Sequence, residues 1–270
     1  MTAAGLYVHL PYCRSRCGYC SFVVTTDDTT RGDYLASVAR EAALIPRGTD
    51  EELFDSLYLG GGTPSLVPLA DLARLIERLA GRFAFARDTE VTLEANPDDV
   101  DAARAAAWKA AGVNRVSLGV QSLRDTELAA VGRRHDAAQA RAALEILAAS
   151  GFSLSADLIL GLPEQTAESF RASLEGILGD VDHVSLYLLE TEKSREIEED
   201  RRRRPERYLS DDAQAALWLE AGETLARAGL VHYEISNWAR PGRRARHNVK
   251  YWERVPTLGL GVAAHELWEG

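Results

Sequence analysis

The three cysteines of the chain, Cys13, Cys17 and Cys20, all fall within eight residues at C-x3-C-x2-C spacing. An odd number packed this tightly cannot form a disulfide framework, and thiolates converging from one short loop usually hold a metal. A closed structural zinc site wants four protein ligands. Zinc would therefore have to recruit a histidine such as His9 and accept an x3 spacing that zinc knuckles rarely use. A cubane iron–sulfur cluster fits more simply, because three thiolates bind three irons and leave the fourth open for a small chelating ligand. The residues alone leave both metals open.

Polar residues recur where predicted strands end. Gly61, Gly62 and Thr63 follow the second strand, Glu94 and Asn96 the third, Gln121 and Ser122 the fourth, and Asp157 lies in the fifth. Glycines let the backbone approach a ligand closely and expose polar main-chain groups. Buried without partners the other groups are costly, so they bond one another or face a polar ligand. Near the end, His247, Tyr251 and Trp252 combine a neutral imidazole with flat apolar faces, and Arg243, Arg244 and Arg246 lie beside them. That set suits heme iron, a macrocycle and its propionates. In the blander reading, His247 and Asn248 hydrogen-bond a loop while the aromatics close the fold.

The elements that must position these residues alternate between short β-rich runs and helical patterns, the mark of βα units and a parallel sheet. Strands are expected at 6–10, 56–60, 90–95, 115–120, 154–160 and 183–189, and helices at 33–45, stopped by Pro46, and at 69–79, 98–111, 125–131, 137–149, 167–178 and 211–228. Asp98 is the expected cap of the third helix. The charged stretch Thr191–Pro205 reads as a solvated loop, and 233–237 as a short strand leading into a basic loop. Six repeats predict an α/β fold, a partial (β/α)6 barrel with its active groups at the C-terminal strand ends.

The 270 residues, 46% hydrophobic, suffice for one large core, so one main domain is the default. The net charge of −10 argues against a general nucleic-acid binder. The N-terminus lacks the pattern of a secretory signal, no window approaches a membrane span, and free thiols point to a reducing cytoplasm, with any membrane association peripheral.

The cysteine stretch resembles the radical S-adenosylmethionine (SAM) signature. In that superfamily the open iron of a [4Fe-4S] cluster is chelated by SAM, which an electron cleaves to a 5′-deoxyadenosyl radical. The segments Tyr7-Val8-His9-Leu10-Pro11, Gly60-Gly61-Gly62-Thr63-Pro64-Ser65, Glu94-Ala95-Asn96-Pro97, Gly119-Val120-Gln121-Ser122, Asp157-Leu158-Ile159-Leu160-Gly161-Leu162-Pro163 and Tyr233-Glu234-Ile235-Ser236-Asn237 look like the oxygen-independent coproporphyrinogen III oxidase family. The resemblance implies cluster ligation by Cys13, Cys17 and Cys20. It places Tyr19 beside the adenine, Gly61, Gly62 and Thr63 at the SAM amino group, and Glu94, Gln121, Arg133 and Asp157 in contact with SAM, with Tyr7 adjacent.

Two features choose a branch. True dehydrogenases of the family carry a further cysteine two places after the last cluster ligand, where this chain has Phe22. His247-Asn248-Val249-Lys250-Tyr251-Trp252 is similar to the H-N-x-x-Y-W motif of the heme-chaperone (HemW) branch, which implies heme on His247. The expected partners are heme, an electron donor and heme-acceptor proteins such as membrane-associated respiratory enzymes. The resemblance divides the chain into a barrel core over 1–230 and an extension over 231–270, ending where relatives continue into a further C-terminal domain. The rivals are a coproporphyrinogen III dehydrogenase, a radical methyltransferase and a zinc-stabilised binding module. Whether the chain is an enzyme, cleaving SAM as part of its function, is not readable from these residues.

Overall fold

The computed structural model describes residues 3–45 and 52–268. Six parallel strands lie side by side in chain order: β1 (Ala4–Leu10), β2 (Leu53–Gly61), β3 (Ala84–Ala95), β4 (Arg115–Gln121), β5 (Ser153–Leu160) and β6 (His183–Leu188). The crossovers carry α1 (Arg31–Leu44), α2 (Leu69–Arg82), α3 (Ala102–Ala110), the pair α4 (Asp125–Ala130) and α5 (Ala137–Ala149), and α6 (Ala167–Ile177). Next come α7 (Arg195–Arg203), α8 (Asp211–Arg227), β7 (Val231–Glu234), β8 (Asn237–Ala239), α9 (Arg246–Glu253) and β9 (Thr257–Leu260). β9 adds to β1 in parallel, while β8 runs antiparallel to β6 and carries β7 at the other edge. β7 and β9 do not pair, so the sheet curls without closing, as expected for a partial barrel.

Alternation along each strand sorts side chains onto two faces. Leu6, Val8, Leu57, Leu59, Leu93, Val116, Leu118, Leu154, Leu158, Val184 and Leu186 face the helices and are buried with Trp108 and Phe170 in one core. The opposite face carries Tyr7, Ser56, Tyr58, Glu90, Thr92, Glu94, Arg115, Ser117, Ser155, Asp157 and His183. The register pairs Tyr7 with Tyr58, Tyr58 with Thr92, and Thr92 with Arg115 in one band around the inner wall.

The structure corrects several expectations. The stretch 191–205 is not a plain loop, because it contains α7. Ser194 caps that helix by accepting from the Ile197 amide, and the buried Ile197 anchors it. Acids in its first turn, bases in its last and the pairs Arg195–Glu199 and Arg204–Asp200 complete its stabilisation. Asp101, rather than Asp98, caps α3. The strand expected at 233–237 is a hairpin of β7 and β8, and the basic loop after it is followed by α9 and β9. Pro46 lies outside the described residues.

α9 seals the lower end of the barrel. Its Lys250 ammonium reaches Asp55 at 2.7 Å, and the His247 amide donates to Glu90 Oε1 at 3.1 Å. The other Glu90 oxygen accepts from Arg115 Nε at 2.9 Å, with both side chains less than a tenth exposed. Removing one partner of a buried ion pair strands the other charge, at a cost of about 3–5 kcal/mol. Glu90→Ala is therefore expected to lose about that much stability in urea unfolding, and Glu90→Gln, which keeps one of the two acceptor oxygens but not the charge, less. Equal, small losses for both variants would contradict this role.

Candidate functional site

The cysteine loop leaves β1 and is pinched at its base, where Tyr12 bridges Thr25 and the Cys13 amide donates to the Thr25 carbonyl at 2.9 Å. The Cys20 amide turns back to the Cys17 carbonyl at 3.0 Å, the Gly18 amide reaches Val131 O at 3.0 Å, and the Ser194 hydroxyl donates to Gly18 O. Cys13, Cys17 and Cys20 are half-buried free thiols lining one cavity of about 310 Å³ that runs down the barrel interior. Burial pushes the Cys13 and Cys20 thiols up, and each also feels the charge of its neighbours.

The donor set fits a cubane. Three thiols from one loop face a common cavity. His9, which a zinc site would have to recruit, is occupied elsewhere: Nδ1 pairs with the Tyr7 hydroxyl at 3.1 Å and Nε2 with Val23 O at 2.9 Å. Thr63 Oγ1 donates to Cys13 Sγ at 3.3 Å, and Arg133 Nη1 lies 3.7 Å from Cys17 Sγ. Hydrogen bonds and cationic charge of this kind stabilise thiolate sulfur.

Below the loop, Tyr19, Gly61, Gly62, Thr63, Glu94, Gln121, Arg133 and Asp157, the residues expected to face SAM, all line this one cavity. Tyr7 does not line it, and its ring stacks on Tyr58 and packs beside His247. Glu94 is held by the Tyr58 hydroxyl at 2.8 Å and the Gly61 amide at 2.9 Å. Gly61 sits at φ +111, where a Cβ would strike the His9 ring, and a Cβ on Gly62 would strike the Pro11 carbonyl. These glycines therefore serve the close approach of β2 to β1, a packing role that their position at a strand end did not reveal.

Arg133 Nη2 donates to Asn96 Oδ1 at 2.7 Å and to Gly119 O at 2.6 Å, which aims the guanidinium across the cavity. Gln121 takes φ +65 where the β4–β5 register shifts, a backbone state rare outside glycine and typical of constrained sites. Asp157 is pushed up to about 7, first by burial and then, against the hydroxyls of Ser185 and Ser117, by the Glu94 charge. Burial likewise raises Glu94. Phe22 stands two-thirds exposed at the rim.

His247 lies elsewhere than expected for an open ligand position. It is 1% exposed, with Nδ1 paired to Ser56 Oγ at 3.0 Å and Nε2 to the Tyr251 hydroxyl at 3.1 Å. Burial, then the Lys250 charge, pushes it down to about 3, so it is neutral. Arg243 and Arg246 pair with Asp182 and Asp88, and Arg244 lies over the Tyr233 ring. Tyr251 and Trp252 remain about half exposed. The lower wall of Thr92, Arg115, Ser117, Ser155, His183, Ser185 and Asn248 was not foreseen. Its signal was in the strands, where Arg115-Val116-Ser117-Leu118-Gly119-Val120-Gln121 alternates polar or small residues with apolar ones.

The profile of the Radical SAM superfamily matches residues 7–177. The heme chaperone HemW of Synechocystis sp. is 35% identical over 98% of this chain and 66% of its own length. HemW of Mycobacterium tuberculosis is 36% identical over 97% of this chain and 68% of its own. The bovine (Bos taurus) mitochondrial protein named radical S-adenosyl methionine domain-containing protein 1 is 40% identical over 97% and 60%. The chain thus spans about two thirds or less of the length of the first relatives it matches. The structure of coproporphyrinogen III oxidase (HemN) from Escherichia coli superposes with a TM-score of 0.84 at 26% identity, covering 98% of this chain and 64% of that one. Sequence and fold agree: the chain belongs to the radical SAM superfamily, among the HemW-like members of its coproporphyrinogen III oxidase-like family.

Proposed function

We propose that this chain is the cluster- and SAM-binding core of a cytoplasmic heme chaperone that delivers heme to acceptor proteins. The observation that carries the reading is its identity of 35–36% to proteins named heme chaperone HemW along 97–98% of its length. Phe22, in place of the extra cysteine of the dehydrogenases, supports it against porphyrinogen oxidation. Membership of the superfamily implies a [4Fe-4S] cluster and SAM. Cys13, Cys17 and Cys20 would hold the cluster, which when reduced supplies an electron to the sulfonium of SAM.

The remaining roles fall to the chain's own residues. Arg133 offers its guanidinium to a carboxylate, Glu94 and Asp157 offer acceptors to an ammonium or to hydroxyls, and Thr63 and Arg133 stabilise the thiolates. Tyr19 offers an aromatic edge to the adenine, Gly61, Gly62 and Gln121 border it, and Tyr7 supports this layer by stacking on Tyr58. An electron donor is required, and acceptors at the membrane surface fit a chain in which no described helix is long and apolar enough to cross a membrane.

For heme to reach His247, Tyr251 must swing off Nε2, and its partial exposure leaves it free to do so. A heme titration followed in the Soret region tests this. His247→Ala is expected to lose the ligand-field shift, whereas Tyr251→Phe, which removes the competing hydrogen bond, is expected to bind heme about threefold to tenfold more tightly. An unchanged spectrum in His247→Ala removes the residue from the role. Protoporphyrinogen formed from coproporphyrinogen III, SAM and reductant would select the dehydrogenase instead.

The acids of the SAM layer add a pH dependence. Asp157 titrates near 7, so it carries a proton below that pH, while a sulfonium ligand favours the ionised form. SAM affinity is therefore expected to weaken as pH falls from about 7 to 6, by at most about tenfold per unit, with proton release on binding measurable by calorimetry in two buffers. A flat profile that matches Asp157→Asn would exclude Asp157 from the contact.

A further inference from the structure

Thr92 on β3 and Arg115 on β4 are register partners, and both line the cavity well below the cysteine loop. Arg115 precedes Gly119 by four positions, roughly 13 Å along the strand. The two side chains are almost wholly buried, Arg115 at 3% and Thr92 at 1% exposure. Arg115 Nε donates to Glu90, and Nη2 to the carbonyls of Arg243 at 2.7 Å and Arg244 at 3.0 Å. Its Nη1 has no protein partner, and neither does the Thr92 hydroxyl. Leaving such groups unpaired is costly, and here two occur side by side.

Arg115 is the cation at this floor, and Glu90 pairs with it at 2.9 Å. The His183 imidazole is pushed down to about 3 by burial and then by the Arg115 charge, so it is neutral. One layer higher, Glu94 and Asp157 repel each other. A carboxylate entering the barrel is thus disfavoured at mid-height, whereas at the bottom it meets the unpartnered donors of Arg115 and Thr92, with Ser117, Ser155 and Asn248 completing a polar wall.

We propose that the barrel floor is a second binding site, below the SAM layer, for the carboxylate of a small organic acid or of a side arm on a larger ligand. Arg115 Nη1 and the Thr92 hydroxyl donate to its two oxygens. Since Glu90 already balances Arg115, the site selects by directed donors, and binding of a short acid is weak.

Cluster-loaded, SAM-bound protein titrated with propionate by saturation-transfer NMR and thermal shift tests the proposal, with propionamide as the neutral control. Propionate is expected to bind and raise the unfolding midpoint, and propionamide to bind at least about tenfold more weakly. Thr92→Val keeps the shape and removes an unpaired hydroxyl, so it should weaken propionate about fivefold to tenfold without destabilising the ligand-free protein. Arg115→Lys, which retains a cation for Glu90, should weaken it at least as much. Heme added first separates the two sources: displacement of propionate assigns the floor to a carboxylate arm, and undisturbed binding assigns it to a free acid. Only this arm rests on the heme reading, and a failure of heme to bind leaves the propionate result intact. Absence of propionate binding, equal binding of propionamide, or equal affinity in Thr92→Val overturns the proposal.

Discussion

The polarity of the sheet governs this molecule. Six strands turn their leucines and valines outward to the helices and their hydroxyls, carboxylates and guanidinium groups inward, the reverse of a barrel filled with its own apolar side chains. A wall of this kind cannot pack on itself without stranding polar atoms, so it encloses space and asks for polar contents. The cavity, the raised Asp157 and the unpartnered atoms of Thr92 and Arg115 are consequences of that arrangement.

The interior is ordered by charge along the barrel axis. At the mouth, Arg133 and Thr63 lie against the cysteine sulfurs; below them Glu94 and Asp157 form an acidic layer; at the bottom Arg115 is balanced by Glu90 in a buried ion pair. α9 closes that end through Lys250 and the His247 amide, and the His247 ring is held among Tyr7, Tyr58 and Tyr251. One short helix therefore joins the stability of the barrel floor to the residue that heme would have to reach, and any opening at Tyr251 happens beside the Glu90–Arg115 pair.

Much of this was legible in the chain. The cysteine spacing and the βα alternation pointed to the barrel, and the residues from Tyr19 to Asp157 expected around SAM do border one cavity, because strand ends in a parallel barrel converge on one rim. Tyr7 departs from that group because its ring packs against Tyr58 and His247 instead of bordering the cavity. α7 escaped because its charges read as solvated loop, and its helix depends on the Ser194 cap and on Ile197, a single anchor that periodicity does not reveal. The lower wall was written in the strict alternation of β4 but looked like ordinary half-buried strand, since sequence does not say which face meets helices and which meets a cavity. The burial of His247 depended on long-range partners, Ser56 and Glu90, invisible to a local motif.

The most direct measurement of the account is paramagnetic resonance on anaerobically reconstituted, dithionite-reduced protein before and after addition of SAM. Three cysteines that leave one iron open predict about four irons and four sulfides per chain and a spectrum that changes when SAM binds. Folded protein that takes up zinc without iron and sulfide, or a reduced cluster whose signal is indifferent to SAM, would contradict it.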